Sequence, residues 1–103
     1  MNGDKSMEEI KKPARTLSPQ ELKMLRSKAR LLEPMLRLGK NGLTDSVIEH
    51  VRRLVVKQKL VKIKLLRSFL EENDRKKSAE KLAEGTGSEL VDQVGFVVVL
   101  YKR

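Results

Sequence analysis

The chain contains no cysteine, one histidine, three prolines and three aromatic residues in 103 positions. Each shortage removes a class of chemistry. Without cysteine there is no disulfide framework, no thiolate metal site and no thiol nucleophile, a composition that suits a reducing cytosol. His50 has no second histidine and no cysteine to share a metal with, so a partly exposed structural role is expected for it. The carboxylates fall mostly at solvent-facing helical positions, and none pairs with His50 or a serine at a spacing suited to acid–base work. No catalytic residue, cofactor or metal is therefore expected. No apolar run reaches the roughly 18 residues a bilayer span needs. The N-terminal "MNGDKSMEEIKKPART" has no apolar stretch of a secretory signal. The expectation is a cytoplasmic protein with no membrane partner. The length allows one domain and is too short for two independent cores.

Charge is abundant but unevenly placed. The formal net charge is +9, from 23 Lys and Arg against 14 Asp and Glu. Residues 22–64 hold 12 basic side chains and three acidic ones, so the whole excess lies there and the remainder is neutral. A basic region on a neutral background suggests a polyanion surface, although such patches also meet membranes and acidic proteins.

Residues 1–17 show no clear period and are interrupted by Pro13, so they are read as a flexible arm, with one folded domain over residues 18–103. Ser18-Pro19-Gln20-Glu21 is a helix start: Ser18 caps, Pro19 suits the first helical position and Glu21 completes a capping box. Leu22, Leu25, Ala29 and Leu32 follow at helical spacing, and Pro34 is expected to end that helix. Met35 to Leu38 reads as a short strand. Thr44 caps a second helix whose apolar stripe is Val47, Ile48, Val51, Leu54 and Val55. "LVKIKLL", residues 60–66, alternates: Val61, Ile63 and Leu65 face a core, and Lys62 and Lys64 face the other way. Those two lysines either line a polyanion-binding sheet surface or keep an exposed face soluble. Asn73 or Asp74 caps a third helix with Ala79, Leu82 and Ala83 inward, ended by Gly85 and Gly87. Leu90–Val94 and Phe96–Tyr101 flank Gly95 as an antiparallel hairpin, the last run apolar enough for a central strand. The order α-β-α-β-α-β-β predicts an α/β (α+β) domain on a mixed four-stranded sheet, its first two strands parallel through a right-handed crossover.

The stretch "LRLGKNGLT", residues 36–44, holds two glycines three apart. Asn-Gly is a favoured hairpin turn, but a hairpin needs a strand on both sides, and residues 44–57 keep helical spacing. The loop instead joins a strand to a helix N-terminus, where unpaired amides and the positive end of the helix dipole suit an anion. Glycine at 39 and 42 permits a sharp turn and leaves no Cβ in the way of a phosphate. A nucleotide P-loop is excluded: Pro34 stands where that motif needs glycine, and Asn41 where it needs Ser or Thr. The spacing also lacks the third glycine of a dinucleotide fingerprint.

"LEPMLRLGKNGLTDSVIEHV", "LVKIKLL" and the C-terminal "GFVVVLYKR" together resemble the CRM domain, the YhbY-like group of small RNA-binding proteins. The resemblance covers roughly residues 18–103. It implies a fold related to the C-terminal domain of bacterial translation initiation factor three. It implies RNA contact by the loop Gly39, Lys40, Asn41 and Gly42, much as in KH domains. It also implies a ribosome-associated role in large-subunit maturation.

Arg37, Lys28 and Arg30 are expected to extend the loop's grip on RNA backbone. The chain lacks the set of exposed aromatics on which RNA-recognition sheets stack bases, so Phe96 and Tyr101 are expected in the core or at a strand edge. Contact should then run through phosphates and shape, by a monomer bound to ribosomal RNA or pre-ribosomal particles. The alternative is a basic adaptor that docks an acidic ribosomal or assembly factor, which would need the charge but not the glycines.

Overall fold

The computed structural model describes residues 17–103. The arm read over residues 1–17 therefore lies, except for Leu17, outside the described residues. Leu17 itself is buried.

The elements are α1 (Pro19–Arg30), β1 (Leu36–Leu38), α2 (Asp45–Gln58), β2 (Leu60–Leu65), α3 (Arg67–Leu70), α4 (Arg75–Thr86), β3 (Glu89–Val94) and β4 (Val97–Tyr101). The order is the expected one with a single-turn helix, α3, added. The four strands form one sheet in the order β1-β2-β4-β3. β1 and β2 are parallel, and β4 runs antiparallel to both of its neighbours. The sheet is mixed and the apolar β4 is central, as its composition implies.

Alternation along the strands sends side chains to two faces. On one, Val61, Ile63, Leu65, Val98 and Leu100 pack with Val51 and Val55 of α2, Phe69 of α3, and Ala79 and Leu82 of α4. On the other, Val91 and Val99 pack with Leu17 and with Leu25 and Ala29 of α1. Two long helices thus cover one face and a single helix covers part of the other.

The starts and stops follow local chemistry. Ser18 Oγ accepts from the Glu21 amide at 3.1 Å and Glu21 Oε1 accepts from the Ser18 amide at 2.9 Å, the expected capping box. Asp74 caps α4 by accepting from the Lys77 amide. α1 ends at Arg30, before Pro34 has any effect, with the Leu31 amide donating to the Lys28 carbonyl and the Leu32 amide to the Ala29 carbonyl. Of the two glycines expected to end α4, only Gly87 does so, at φ 67°. Gly85 lies inside the helix, where a Cβ would come within 3.0 Å of Ile48 Cγ2; it marks the close approach of α4 to α2. α2 ends at Lys59 with φ 70° and ψ −52°, a strained conformation for a residue with a side chain.

Candidate functional site

β1 delivers the chain into the glycine loop, and Thr44 then starts α2. Residues 39–42 form a tight turn closed by a hydrogen bond from the Gly42 amide to the Gly39 carbonyl, 3.1 Å. Gly42 adopts φ 73°, the left-handed region that glycine fills without strain. Gly39 abuts the start of α3: a Cβ there would lie 3.3 Å from Ser68 Oγ and 3.6 Å from Leu66 Cδ1. Gly42 is therefore required by the turn itself, and Gly39 fits close packing against α3. Lys40 and Asn41 form its tip and are exposed.

This geometry trims the anion site expected from the sequence. The Gly42 amide is spent inside the turn. The Val47 amide is taken by Thr44 Oγ1 at 3.1 Å and the Ile48 amide by the Thr44 carbonyl at 3.0 Å. Asp45 places a carboxylate in the first turn of α2. The tip amides of Lys40 and Asn41 make no backbone hydrogen bond among the described residues, and they remain available with the Lys40 ammonium.

Arg37, at the centre of β1, points to the face opposite Leu38. Its registered partner on β2 is Lys64, and both are exposed. No ion pair reaches either of them among the described residues. Like charges directly opposite on a sheet repel, so this pair costs stability in the free protein. Across β4, Lys64 is registered with Val97, and Val97 with Val94 of β3. One cross-strand row thus reads Arg37, Lys64, Val97, Val94, at the end of the sheet where the glycine turn also lies.

Lys62, two residues before Lys64 on the same face, behaves differently. Its ammonium donates to the carbonyls of Ala29 at 3.1 Å and Leu32 at 3.0 Å. It ties the C-terminal end of α1 to the sheet, where a cation also complements the helix dipole. Neither role foreseen for Lys62 fits, because α1 covers it. Lys64 lies past that cover.

Lys28 and Arg30 flank the buried Ala29, about 100° to either side of it on the helix. Arg30 shares the flank of Arg26, which reaches β3 through the Val91 carbonyl at 3.3 Å and Asp92 at 3.9 Å. Lys28 lies on the other flank and is exposed. Of the basic residues singled out from sequence, the fold places Arg37 and Lys40 on one element and its following turn, and Lys28 on the flank of α1 away from Arg26. Arg30 is directed toward the opposite edge.

The sequence reading misplaced one aromatic. Tyr101 is half-buried and packs against the α1 side of the core, and Phe69 is fully buried. Phe96 is 47% exposed, at the tip of the β3–β4 hairpin, with the Arg75 guanidinium 5.5 Å from its ring centre. Its backbone carbonyl accepts from the Leu65 amide at 2.6 Å, which seats the tip beside the end of β2. Only the Gly95-Phe96 turn and the contact to Arg75, 21 residues earlier in the chain, reveal this exposure. His50 is exposed on α2. Among the described residues no group of three or more His, Asp or Glu side chains is placed to hold a metal. No described helix is long and apolar enough to cross a membrane.

Comparison with known proteins finds similarity over nearly the whole described chain. Residues 17–102 match the sequence model of the CRS1 / YhbY (CRM) domain. The "Probable RNA-binding protein YqeI" of Bacillus subtilis (strain 168) is 35% identical over 87 residues, covering 84% of this chain and 88% of that protein. A Methanocaldococcus jannaschii protein, also named as a probable RNA-binding protein, is 38% identical over 88 residues, covering 85% of this chain and 65% of its own length. The solution structure of a hypothetical protein from Staphylococcus aureus superposes with a TM-score of 0.71 at 31% identity, over 85% of this chain and 90% of that one.

Proposed function

The chain belongs to the CRS1 / YhbY (CRM) domain family, and from that premise we propose that it is a non-enzymatic RNA-binding protein that grips the sugar–phosphate backbone. The turn Gly39-Lys40-Asn41-Gly42 presents its tip amides and the Lys40 ammonium to one phosphate. Arg37 and Lys28 neutralise neighbouring phosphates, Lys64 joins them from the adjacent strand, and Arg30 contributes only long-range charge. The single observation that carries this function is the registered Arg37–Lys64 pair beside the turn. Two exposed cations held opposite each other without a carboxylate cost folding energy, and a polyanion laid across them recovers it. An RNA-facing surface accounts for that cost; a merely soluble surface does not.

Structured ribosomal RNA is the target class that membership of the family suggests, with action in maturation of the large subunit by a cytoplasmic monomer. Crosslinking the full chain to RNA in cells, followed by sequencing, tests this directly. Reads are expected to concentrate on large-subunit ribosomal RNA or its precursors. Reads concentrated on transfer or messenger RNA would contradict the ribosomal assignment, and the absence of crosslinks would contradict RNA binding.

The adaptor alternative calls for a different discriminating experiment from glycine replacement. Alanine at 42 would be strained and alanine at 39 would press on Ser68, so either change disturbs the turn whatever binds there. Binding of the purified chain to protein-free RNA separates the two readings, since RNA binding requires it and an adaptor for an acidic protein does not.

A further inference from the structure

The hairpin tip beside the glycine turn has no role in the backbone grip just described, yet it is built with care. Val94 and Val97 are registered partners, so only Gly95 and Phe96 make the turn. Gly95 has φ 56° and Phe96 does not have a positive φ, the pattern of a turn that demands glycine at its first position and nothing particular at its second. Folding therefore does not call for phenylalanine at 96. The turn that carries the ring is nevertheless hydrogen-bonded at both of its carbonyls. The Gly95 carbonyl accepts from Arg75 Nη1 at 3.0 Å and from Gln93 Nε2 at 2.9 Å, and the Phe96 carbonyl accepts from the Leu65 amide. Beside it Val94 is 63% exposed.

The row Arg37, Lys64, Val97, Val94 is thus divided: its β1–β2 half is cationic and its β4–β3 half is apolar, and the turn just beyond it carries the exposed Phe96 ring. Four strands at the usual spacing make it roughly 14 Å wide. α1 covers the rows below through Val99 and Val91 but leaves Lys64, Val94 and Phe96 open.

We infer that the tip of the β3–β4 hairpin is a base-binding subsite, in which the exposed Phe96 ring, flanked by Arg75, stacks an unpaired RNA base whose backbone runs on to Arg37 and Lys64 at the same end of the sheet. The inference rests on the RNA-binding function proposed above and adds to it the state of the RNA: unpaired at this point. The occupant is a nucleobase rather than an apolar protein segment because charge surrounds the ring. Arg75 sits against it, and Arg37 and Lys64 lie at the same end of the sheet. A flat π-system attached to a polyanion satisfies both halves of the strip. A preformed, hydrogen-bonded tip also loses little conformational freedom on binding.

The sequence contains no tryptophan, so Phe96→Trp in the full chain creates a single fluorescent reporter at the subsite. The probes are a labelled oligouridylate of about ten nucleotides and an RNA duplex of the same length. Anisotropy of the label reports binding, and tryptophan emission reports stacking. The expected result is saturable anisotropy with both RNAs, and emission quenched by the single strand alone. Saturable anisotropy with unchanged emission overturns the subsite while leaving the backbone grip intact, and it is the result a protein-docking surface would give. Equal quenching by the duplex also overturns it. No anisotropy change with either RNA overturns the RNA-binding function and the subsite together. As a second measurement, Phe96→Ala should weaken oligouridylate binding about tenfold without changing the slope of affinity against salt. Unchanged affinity in that variant would overturn the subsite.

Discussion

On one face of the sheet, Val61, Ile63, Leu65, Val98 and Leu100 are fully buried beneath α2, α3 and α4. On the other, α1 closes over Val91 and Val99 and stops short of Arg37 and Lys64, which stay in water. The first face is apolar from strand to strand and leaves no polar group without a partner among the described buried side chains. The second carries three cations on β1 and β2, Arg37, Lys62 and Lys64, and uses one of them, Lys62, to anchor the helix that covers it. A small domain has limited apolar surface to bury. Here most of it goes to one face, and the other keeps charge that folding alone would have removed.

If the two faces divide stability from binding, substitutions should sort accordingly. The largest effect is expected at Phe69, fully buried in the two-helix face: Phe69→Ala should destabilise by about 3–5 kcal/mol in denaturant unfolding. Any RNA-affinity loss in that variant should track the unfolded fraction. Lys62→Met comes next. It leaves the Ala29 and Leu32 carbonyls without their charged donor, for a loss of about 1–3 kcal/mol, with little change in the salt dependence of RNA binding. Lys59→Gly should move stability the other way by about 1 kcal/mol, because glycine relieves the positive φ at the end of α2.

The open face should respond in the opposite sense. Arg37→Gln and Lys64→Gln should leave stability unchanged or raise it by a few tenths of a kcal/mol, by removing like-charge repulsion. Each should lower the slope of log affinity against log salt by roughly 0.7 if it contacts a single-stranded phosphate. A Lys62 variant with the salt signature expected of Lys64 would break the comparison. The smallest effect is electrostatic. The Glu21 carboxylate is held below its ordinary pKa, first by the Ser18 amide it accepts from and then by Arg103. A carboxyl with a lowered folded-state pKa contributes stability above its unfolded value and loses it as pH falls through the lowered one. The parent should therefore lose melting temperature in acid relative to Glu21→Gln, which keeps the capping box but not the charge.

Much of the fold was legible because its signals are local. The capping box at Ser18, the Thr44 cap, the alternation of residues 60–66 and the glycine-centred hairpin each depend on neighbours a few residues apart. What was missed depends on distant partners. α3 is one turn without a side-chain cap, formed because Phe69 fills the core. Gly85 looked like a stop because its reason, Ile48, lies on another helix. Lys62 and Lys64 look identical in an alternating strand; only the end of α1, some 30 residues away, separates them. The glycine turn was found by its spacing. That its own closing bond consumes the Gly42 amide is a matter of backbone geometry that composition does not encode.

The central claim is that the tip of the Gly39–Gly42 turn touches nucleotide backbone, and Asn41→Asp tests it most directly. The change is isosteric, its site is exposed, and aspartate is tolerated in turns, so the melting temperature should not move. A new negative charge placed against a phosphate should weaken RNA binding at least tenfold at moderate salt. An Asn41→Asp protein that melts like the parent and binds RNA with the parent's affinity would show that the turn does not touch the backbone.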